Sequence, residues 1–300
     1  MDIEGVLSEA SKVLKGKKKV IEKALVCLLS GGHLLIEDVP GTGKTTLALS
    51  LARVLGLSFA RIQFTNDLMP SDITGVNIYN PKTREFEFKK GPIFHNVVLA
   101  DEINRGTPRT QSALLEAMAE RQVSIDGKTY KLPSPFFVIA TQNPIEHHGT
   151  YPLPEAQLDR FTMKLSVGYP PKEYEIEIVK GINPMEKVKE LSTISDAEEV
   201  LVAMEEVKNV YVSEEIAEFA VDFANALRNH PDVLLGLSTR GLIHLIQVAR
   251  AQAYIRNRDF VVPEDILDNI PYVVPHRLIL REGAKAQRVI EECINTVKVP

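Results

Sequence analysis

The sequence predicts an α/β fold in which a parallel sheet has helices on both faces, followed by a smaller all-helical domain. Three short apolar runs carry this prediction, at residues 59–64, 96–101 and 136–141. Their apolar residues do not alternate with polar ones, which is typical of strands that are buried on both faces. After Tyr169-Pro170-Pro171 such runs cease and helical patterns take over.

A strand, a glycine-rich loop and a helix follow one another near residue 40. The strand HLLIED spans 33–38, and the helix after the loop has an apolar face that Gly56 ends. A further helix is expected at 18–30, where Gly31-Gly32 stops the helical spacing.

Two segments have the pattern of β-hairpins. Residues 77–88 turn at Asn80-Pro81, and residues 122–132 turn at Asp126-Gly127, which is a strong hairpin signal. We expect these hairpins to decorate the central sheet rather than to belong to it.

We place a domain boundary near residue 170, so that residues 1–170 form the α/β core and 171–300 the smaller helical domain. Helices are expected at 173–180, 213–230 and 238–257, together with a capping box at Ser195 and Glu198.

Composition limits the classes of function. The formal net charge of -5 gives no global basic field, so we expect neither nucleic acid nor an anionic membrane as a partner. The N-terminus is acidic where a secretory signal would be basic, and no run approaches the roughly 20 apolar residues of a membrane span. The two cysteines, Cys27 and Cys293, lack metal-ligand spacing and fit a reducing compartment. A cytoplasmic protein is therefore expected.

The loop after the first strand has the residues of a phosphate-binding loop. Gly41 and Gly43 let backbone N–H groups and a helix N-terminus point at an anion, and Lys44 adds a positive charge. Thr45 offers a hydroxyl to a phosphate-bound Mg²⁺. The pattern GxxxxGK[ST] is met at every fixed position except Asp38, where the first glycine belongs.

Acidic and amide side chains follow two other predicted strands. Asp101 would hold Mg²⁺ through water, and Glu102 would polarise the water that attacks the γ-phosphate. The alternative interpretation is a solvated acidic strand end. At the next strand end an amide can contact the γ-phosphate or fix the water, and we favour Asn143 over Gln142.

Hydrolysis also needs a cation to stabilise charge on the transferred phosphoryl group. Four arginines are candidates, and residue chemistry alone does not rank them: Arg160, Arg240, Arg105 and Arg109.

With these residues assembled, the chain resembles the MoxR-type AAA+ ATPases over nearly its whole length. The similarity is densest at 91–161, in GPIFHNVVLADEINRGTPRTQSALLEAMAERQVSIDG and PFFVIATQNPIEHHGTYPLPEAQLDRF, and returns in STRGLIHL. The resemblance implies an αβα core with a helical lid, ATP held between them, and a homo-oligomeric ring that is typically a hexamer.

The resemblance also assigns roles by position. Lys44 and Thr45 match Walker A, Asp101 and Glu102 Walker B, Asn143 the sensor 1 amide, Arg240 the sensor 2 arginine and Arg160 a trans-acting arginine finger. The expected catalytic residues are Lys44, Glu102, Asn143, Arg160 and Arg240. Those expected to bind ATP are Gly16, Pro40, Gly41, Thr42, Gly43, Lys44, Thr45, Thr46 and Arg240. Those expected to bind Mg²⁺ are Thr45 and Asp101. The hairpins resemble an insert in the second helix and a pre-sensor hairpin, which face a ring's pore or a partner.

Three residues depart from the family's usual pattern: Asp38 at the first loop glycine, Lys17 in place of a glutamine near the adenine, and Thr239 in place of a proline before the sensor arginine. A carboxylate at position 38 would repel a triphosphate unless it were turned away or neutralised, so weakened nucleotide affinity is a hypothesis.

The resemblance implies a chaperone-like ATPase that remodels or matures a partner, often a protein with a von Willebrand factor A domain or a metal centre. One alternative is a scaffold that ATP switches while hydrolysis stays slow. Another is a chelatase-like or DNA-translocating relative, which the acidic charge balance disfavours.

Overall fold

The computed structural model describes residues 1–39, 41–144 and 149–300. Pro40, which we expected to bind nucleotide, lies outside them. The chain divides into two compact units, each built from separate segments. The first comprises Met1–Lys23, His33–Leu153 and Leu165–Leu201, and the second comprises Ala24–Gly32, Pro154–Lys164 and Val202–Pro300. This division into compact units does not test the domain boundary expected near residue 170, which stays a prediction.

Helices and strands alternate through the first half of the chain. The helices are α1 Ile3–Ser11, α2 Lys18–Leu29, α3 Lys44–Val54, α4 Pro70–Thr74, α5 Pro108–Glu120, α6 Glu155–Leu158, α7 Lys172–Val179, α8 Pro184–Val188, α9 Ala197–Lys208, α10 Glu214–Asn229, α11 Thr239–Ile255, α12 Pro263–Leu267, α13 Ile270–Val273 and α14 Ala286–Thr296. The strands are β1 Leu34–Glu37, β2 Phe59–Gln63, β3 Gly75–Asn80, β4 Glu85–Lys90, β5 Val97–Asp101, β6 Gln122–Ile125, β7 Lys128–Lys131, β8 Phe137–Gln142, β9 Met163–Leu165, β10 Val233–Leu235 and β11 Ile279–Leu280.

A five-stranded sheet with the order β2-β5-β8-β1-β9 forms the centre of the fold. The pairs β2–β5, β5–β8 and β1–β8 are parallel. Strands β1, β5 and β8 are buried along nearly their whole length, as their continuous apolar runs predict. The predicted α/β class with a parallel sheet is confirmed. The short strand β9 was not predicted, because three residues carry too little pattern.

Both predicted hairpins are present outside the central sheet. Strand β3 pairs with β4, and β6 pairs with β7, in antiparallel registers. Asp126 and Gly127 have positive φ values of 49° and 79°, as a two-residue hairpin turn with the right-handed strand twist requires. The hairpins pack on each other through the stacked rings of Phe88 and Tyr130, whose centroids are 4.1 Å apart.

The second unit is mainly helical. Helix α10 buries the predicted apolar stripe and is capped by Ser213, whose side chain accepts from the Ile216 N–H. Helix α11 is capped in the same way by Ser238. One addition to the prediction is the short antiparallel pair β10–β11, whose strands are too brief to show alternation.

The expected capping box at Ser195 and Glu198 is wrong by one residue. The Asp196 carboxylate accepts from the Glu199 N–H at 2.8 Å and therefore caps α9. Ser195 instead donates its hydroxyl to the Glu199 carboxylate. Two adjacent residues that can both cap a helix explain the error, since sequence spacing does not choose between them.

Candidate active site

The parallel register brings polar side chains to one edge of the sheet. Glu37 lies opposite Gln142, and Gln63 lies opposite Asp101, each at the carboxyl end of its strand. Ligands of open α/β sheets bind outside these strand ends. The phosphate loop leaves β1 at the same edge, so the loop and the acidic pair follow β1 and β5, with β8 between these two strands.

The loop before α3 has the backbone geometry of an anion site. Gly41 and Gly43 have φ values of 80° and 90°, which side chains with a Cβ rarely adopt. Gly43 is the N-cap of α3 and has no side-chain cap, so the first N–H groups of the helix remain available to an anion. These features fit a bound phosphate chain.

The side chains of this loop are only partly engaged. The Lys44 ammonium lies 3.3 Å from the Asp38 carbonyl oxygen, which uses one of its three donors. Thr45 is half-buried in the first turn of α3. The Thr46 hydroxyl donates to the Met185 sulfur at 3.4 Å and is buried. The roles of Lys44 at a phosphate and of Thr45 at its cation stay predictions.

Asp101 is held by two neighbours at the end of β5. Its Oδ1 accepts from the Thr141 hydroxyl at 2.6 Å, and its Oδ2 accepts from Arg61 at 2.5 Å. A cation that bound Asp101 would therefore compete with the Arg61 guanidinium. Neither Thr141 nor Arg61 was recognised in the sequence, because each acts on a carboxylate of a neighbouring strand.

Glu102 lies just beyond the strand in an uncommon backbone conformation. Its φ is 54°, in the left-handed region that few residues other than glycine adopt. Its N–H donates to Thr141 Oγ1 at 2.9 Å, so Thr141 links both acidic residues. Its carboxylate accepts from Arg105 Nε at 2.9 Å. In this structure the candidate general base is therefore paired with an arginine of its own chain.

The two amides after Thr141 differ in their partners. Gln142 donates to the Glu37 carboxylate at 2.7 Å, so its amide is tied to the neighbouring strand β1. Asn143 follows the strand and is half-buried. The choice of Asn143 over Gln142 as the sensor amide stays a prediction.

Asp38 turns its carboxylate into the protein, where it meets backbone N–H groups. Its Oδ2 accepts from Val167 N at 2.9 Å and from Gly168 N at 2.8 Å, and its Oδ1 accepts from Val39 N at 3.1 Å. Burial opposes the charged form, but these N–H groups and the Thr42 hydroxyl outweigh it and lower the pKa of Asp38. The carboxylate thus stays charged, but it is turned into the protein and held by backbone donors. The hypothesis of weakened nucleotide affinity stays a prediction.

A pocket of about 230 Å³ adjoins the loop within the first unit. Apolar side chains dominate its walls, and the phosphate loop closes one side; the lining residues are Val13, Leu14, Lys15, Lys17, Gly41, Thr42, Gly43, Thr46, Val167, Pro170, Tyr174, Ile178 and Pro184. Gly16 lies between two lining lysines, and a Cβ at that position would meet the Pro171 ring at 2.4 Å. The pocket has the mostly apolar character of a site for a heterocyclic base.

The second unit contains a buried cluster around Asp159. The side chain of Arg277 is 1% exposed and donates to the Asp159 carboxylate at 2.8 Å. Its other N–H groups donate to the carbonyls of Phe161 and Thr162, at 3.0 Å each. Arg240 lies 3.6 Å from the same carboxylate and is 62% exposed. Arg277 was missed in the sequence because Asp159, Phe161 and Thr162 lie more than a hundred residues away.

Two histidines belong to the same cluster. His244 Nδ1 accepts from Arg277, and His276 Nε2 lies 2.8 Å from the Phe161 carbonyl. Burial and the adjacent Arg277 charge lower the pKa of His244 to about 4 and that of His276 to about 3. Both rings are therefore neutral at pH 7.

The candidate arginines differ in their surroundings. Arg105 pairs with Glu102, whereas Arg109 is exposed at the start of α5. Within the described ranges no hydrogen bond or ion pair is found for the Arg160 guanidinium, although the residues on both sides of it are fixed by Arg277. The choice of Arg160 as the trans-acting arginine stays a prediction.

A second cavity, of about 690 Å³, lies between the two hairpins. Several apolar side chains of the first hairpin are exposed there or nearby, among them Ile78, Tyr79 and Phe86. The Asn77 amide donates to Asp126 at 2.5 Å and joins the hairpins at this point.

In the part of the chain that is described, no helix has the length and apolar character that a membrane crossing requires.

Comparisons with known proteins agree with this geometry. The model of the ATPase family associated with various cellular activities (AAA) matches residues 33–163, and the AAA lid domain model matches 225–294. YeaC, an uncharacterized protein of Bacillus subtilis strain 168, is 47% identical over 100% of this chain and 96% of its own. Chaperone MoxR1 of Mycobacterium tuberculosis is 43% identical over 99% of this chain and 82% of its own.

A solved structure has the same fold. The crystal structure of a protein from Cytophaga hutchinsonii, provisionally described as an ATPase, has a TM-score of 0.90 and 41% identity to this chain. The match covers 99% of this chain and 94% of the other. With the phosphate loop, the acidic strand end and both family models in agreement, the chain belongs to the MoxR-type AAA+ ATPases.

Proposed function

We propose that this protein binds Mg²⁺-ATP at the carboxyl edge of its parallel sheet, hydrolyses it, and uses the turnover to remodel a partner protein. The observation that carries the proposal is the arrangement of β1, β8 and β5 as neighbours. The uncapped start of α3 follows β1, and the amide Asn143 follows β8. Asp101 ends β5, and Glu102 follows it. The phosphate loop, the amide and the acidic pair thus follow three adjacent strands.

Each side chain has a distinct task in this reaction. The loop N–H groups and Lys44 bind phosphate oxygens, while Thr45 and Asp101 are the residues that would hold Mg²⁺. The cation, when bound, neutralises charge on the phosphates. To hold the cation, the Asp101 carboxylate would give up its hydrogen bond from Arg61.

Glu102 accepts the proton of the attacking water after its carboxylate leaves Arg105. The water oxygen forms a bond to the γ-phosphorus, and the bridging bond to ADP breaks. Asn143 orients the water or donates to the γ-phosphate. The pairing of Glu102 with Arg105 implies slow hydrolysis until that contact opens.

A homo-oligomeric ring, with a hexamer as the expected size, would complete the site. In such a ring Arg160 of one subunit stabilises the phosphoryl charge at its neighbour, and Arg240 acts as the sensor 2 arginine. The described residues supply no hydrogen bond or ion pair for the Arg160 guanidinium, and this supports the role. Specific ATPase activity should then rise with protein concentration, and an excess of Arg160→Ala subunits should inhibit the wild-type subunits. If activity per subunit depended neither on protein concentration nor on added Arg160→Ala subunits, a trans-acting arginine would be ruled out.

The partner proposed from the family resemblance is a protein with a von Willebrand factor A domain or a metalloenzyme, met in the cytoplasm. The name of the relative MoxR1, a chaperone, supports remodelling.

A second candidate function, an ATP-switched scaffold, is favoured by the Glu102–Arg105 pair, which suits slow turnover. Glu102→Gln separates the two functions, because a motor loses its effect on the partner and a scaffold keeps it. A chelatase-like or DNA-translocating function finds less support in a chain of net charge -5.

A further inference from the structure

Two residues that depart from the family's usual pattern bind the same short segment of backbone. The Lys17 ammonium donates to the Val167 carbonyl at 2.6 Å. The Asp38 carboxylate accepts from the N–H groups of Val167 and Gly168, at 2.9 and 2.8 Å. A cation and an anion thus hold two consecutive peptide units through three charge-assisted hydrogen bonds, which are stronger than neutral ones.

The segment that they hold is a wall of the pocket beside the phosphate loop. Val167 and Lys17 line this pocket together with Gly41, Thr42 and Gly43. Val167 is 3% exposed, so the loss of its acceptor would leave a buried N–H group without a partner. Gly168 has a φ of 72°, and a Cβ there would lie 3.3 Å from the Lys17 ammonium. The close approach of Lys17 thus depends on a glycine.

Asp38 connects this wall to the phosphate loop. Its carboxylate binds the Val167–Gly168 peptides, while its own carbonyl oxygen lies 3.3 Å from the Lys44 ammonium. Asp38 is 8% exposed, and its charge is already satisfied by backbone donors. Its carboxylate is therefore aimed at the base side of the site, and only its main chain is aimed at the phosphate side.

We propose that Asp38 and Lys17 are positioning residues of the nucleotide site: together they hold the Val167–Gly168 peptides as a wall for the base, so that Asp38 raises affinity for ATP. This inference rests on the proposed ATP-binding function. It is opposite in sign to the repulsion that a carboxylate in a phosphate loop suggests. The proposed wall contacts the base of ATP and not its phosphate chain. Tripolyphosphate has the phosphate chain without the base, so its affinity should not depend on Asp38.

Equilibrium binding of ATP and of tripolyphosphate, measured by calorimetry on the wild type and Asp38→Gly, tests this directly. We expect ATP to bind about 10-fold more weakly to the variant and tripolyphosphate to bind within about two-fold of the wild type. Tighter binding of both ligands would show repulsion and overturn the proposal. Equal weakening of both would place the role of Asp38 in the phosphate loop and would also overturn it.

Further variants keep the test decisive if Asp38→Gly does not fold. Asp38→Asn retains an acceptor oxygen and should show the same pattern with a smaller loss. Lys17→Met should weaken ATP alone, and its combination with Asp38→Asn should cost less than the product of the single losses, since both act on one segment. The matched control is Lys18→Met, because Lys18 is exposed and pairs with Glu4. Additive losses would overturn the shared role.

Hydrogen exchange in the nucleotide-free protein supplies a readout that needs no ligand. The amides of Val167 and Gly168 should exchange faster in Asp38→Asn, and unchanged exchange would contradict the clamp. A wild type that binds neither ATP nor tripolyphosphate would overturn the proposed function as well. A wild type that binds both, with variants that affect both equally, would overturn this inference alone.

Discussion

The phosphate loop of the first unit and the Asp159 cluster of the second unit are both rich in charge, but their charges are used differently. Among the described residues, Lys44 makes one long contact, to the Asp38 carbonyl at 3.3 Å. Arg277 instead donates to one carboxylate and to several carbonyls and is 1% exposed. The comparison teaches that a charged group with spare donors can bind a ligand. A buried charged group whose donors are all hydrogen-bonded stabilises the fold instead. Substitutions should therefore separate activity from stability.

The largest effect is expected at Arg277. Arg277→Met leaves the Asp159 carboxylate and two or more carbonyls without their donor, and breaking a buried pair by removing one partner costs about 3–5 kcal/mol. Urea denaturation measures this loss. The control is Arg288→Met, whose pair with Asp232 has a 56% exposed arginine and should contribute about 0–1 kcal/mol. Equal losses for the two variants would remove the contrast between the units.

Lys44→Ala should have the opposite profile. We expect ATP hydrolysis to fall by about 100-fold or more, because one preorganised charge at the phosphates is lost. The free energy of unfolding should change by less than about 1 kcal/mol, since one long hydrogen bond is removed. Phosphate release and urea denaturation are measured on the same preparation, with Lys18→Ala as the control. A variant that loses stability but retains activity would reverse the comparison.

The pH dependence of stability should be carried by the second unit. The folded-state pKa values of His244 and His276, about 4 and about 3, lie below the ordinary value of 6.5. The unfolded chain therefore binds more protons, and stability falls as pH drops below about 6.5. Each histidine should contribute a loss of about 1–2 kcal/mol between pH 6.5 and pH 5.

His244→Asn keeps an acceptor for Arg277 but cannot be protonated, so it should flatten this pH dependence. Urea denaturation at a series of pH values measures the slope. A slope that is unchanged in His244→Asn would mean that other groups carry the acid sensitivity.

The smallest effect is expected at Arg105. Arg105→Ala frees Glu102, and because an exposed ion pair contributes about 0.2–1 kcal/mol, basal hydrolysis should rise by about two- to five-fold. Phosphate release at saturating ATP measures this, and Arg288→Ala serves as the control. A fall by about 1000-fold would instead identify Arg105 as the trans-acting arginine.

Features with local sequence signals could be predicted, whereas features that depend on distant residues could not. The phosphate loop, the acidic strand end and both hairpins were predicted because their signals lie in adjacent residues, such as Gly41 with Gly43 and Asp126 with Gly127. The short strands β9, β10 and β11 were not predicted, since they depend on tertiary pairing rather than on local pattern. The same holds for the partners Thr141 and Arg61, which reach Asp101 from other strands.

Asp38 shows which property of a charged residue motif analysis does not give. The pattern marked it as a departure close to phosphate, and charge alone suggested repulsion. The three backbone N–H groups that donate to its carboxylate come from Val39, Val167 and Gly168, and two of these are far away in the chain. A residue's charge was readable from the sequence, but the direction of its side chain was not.

The central claim is that the edge of the sheet in the first unit forms one ATP-hydrolysing site, with Glu102 as its general base. Equilibrium binding of ATP and single-turnover phosphate release, measured together on the wild type and Glu102→Gln, test it most directly. The account predicts binding within about two-fold of the wild type and phosphate release slower by about 100-fold or more. Phosphate release at the wild-type rate in Glu102→Gln would contradict it.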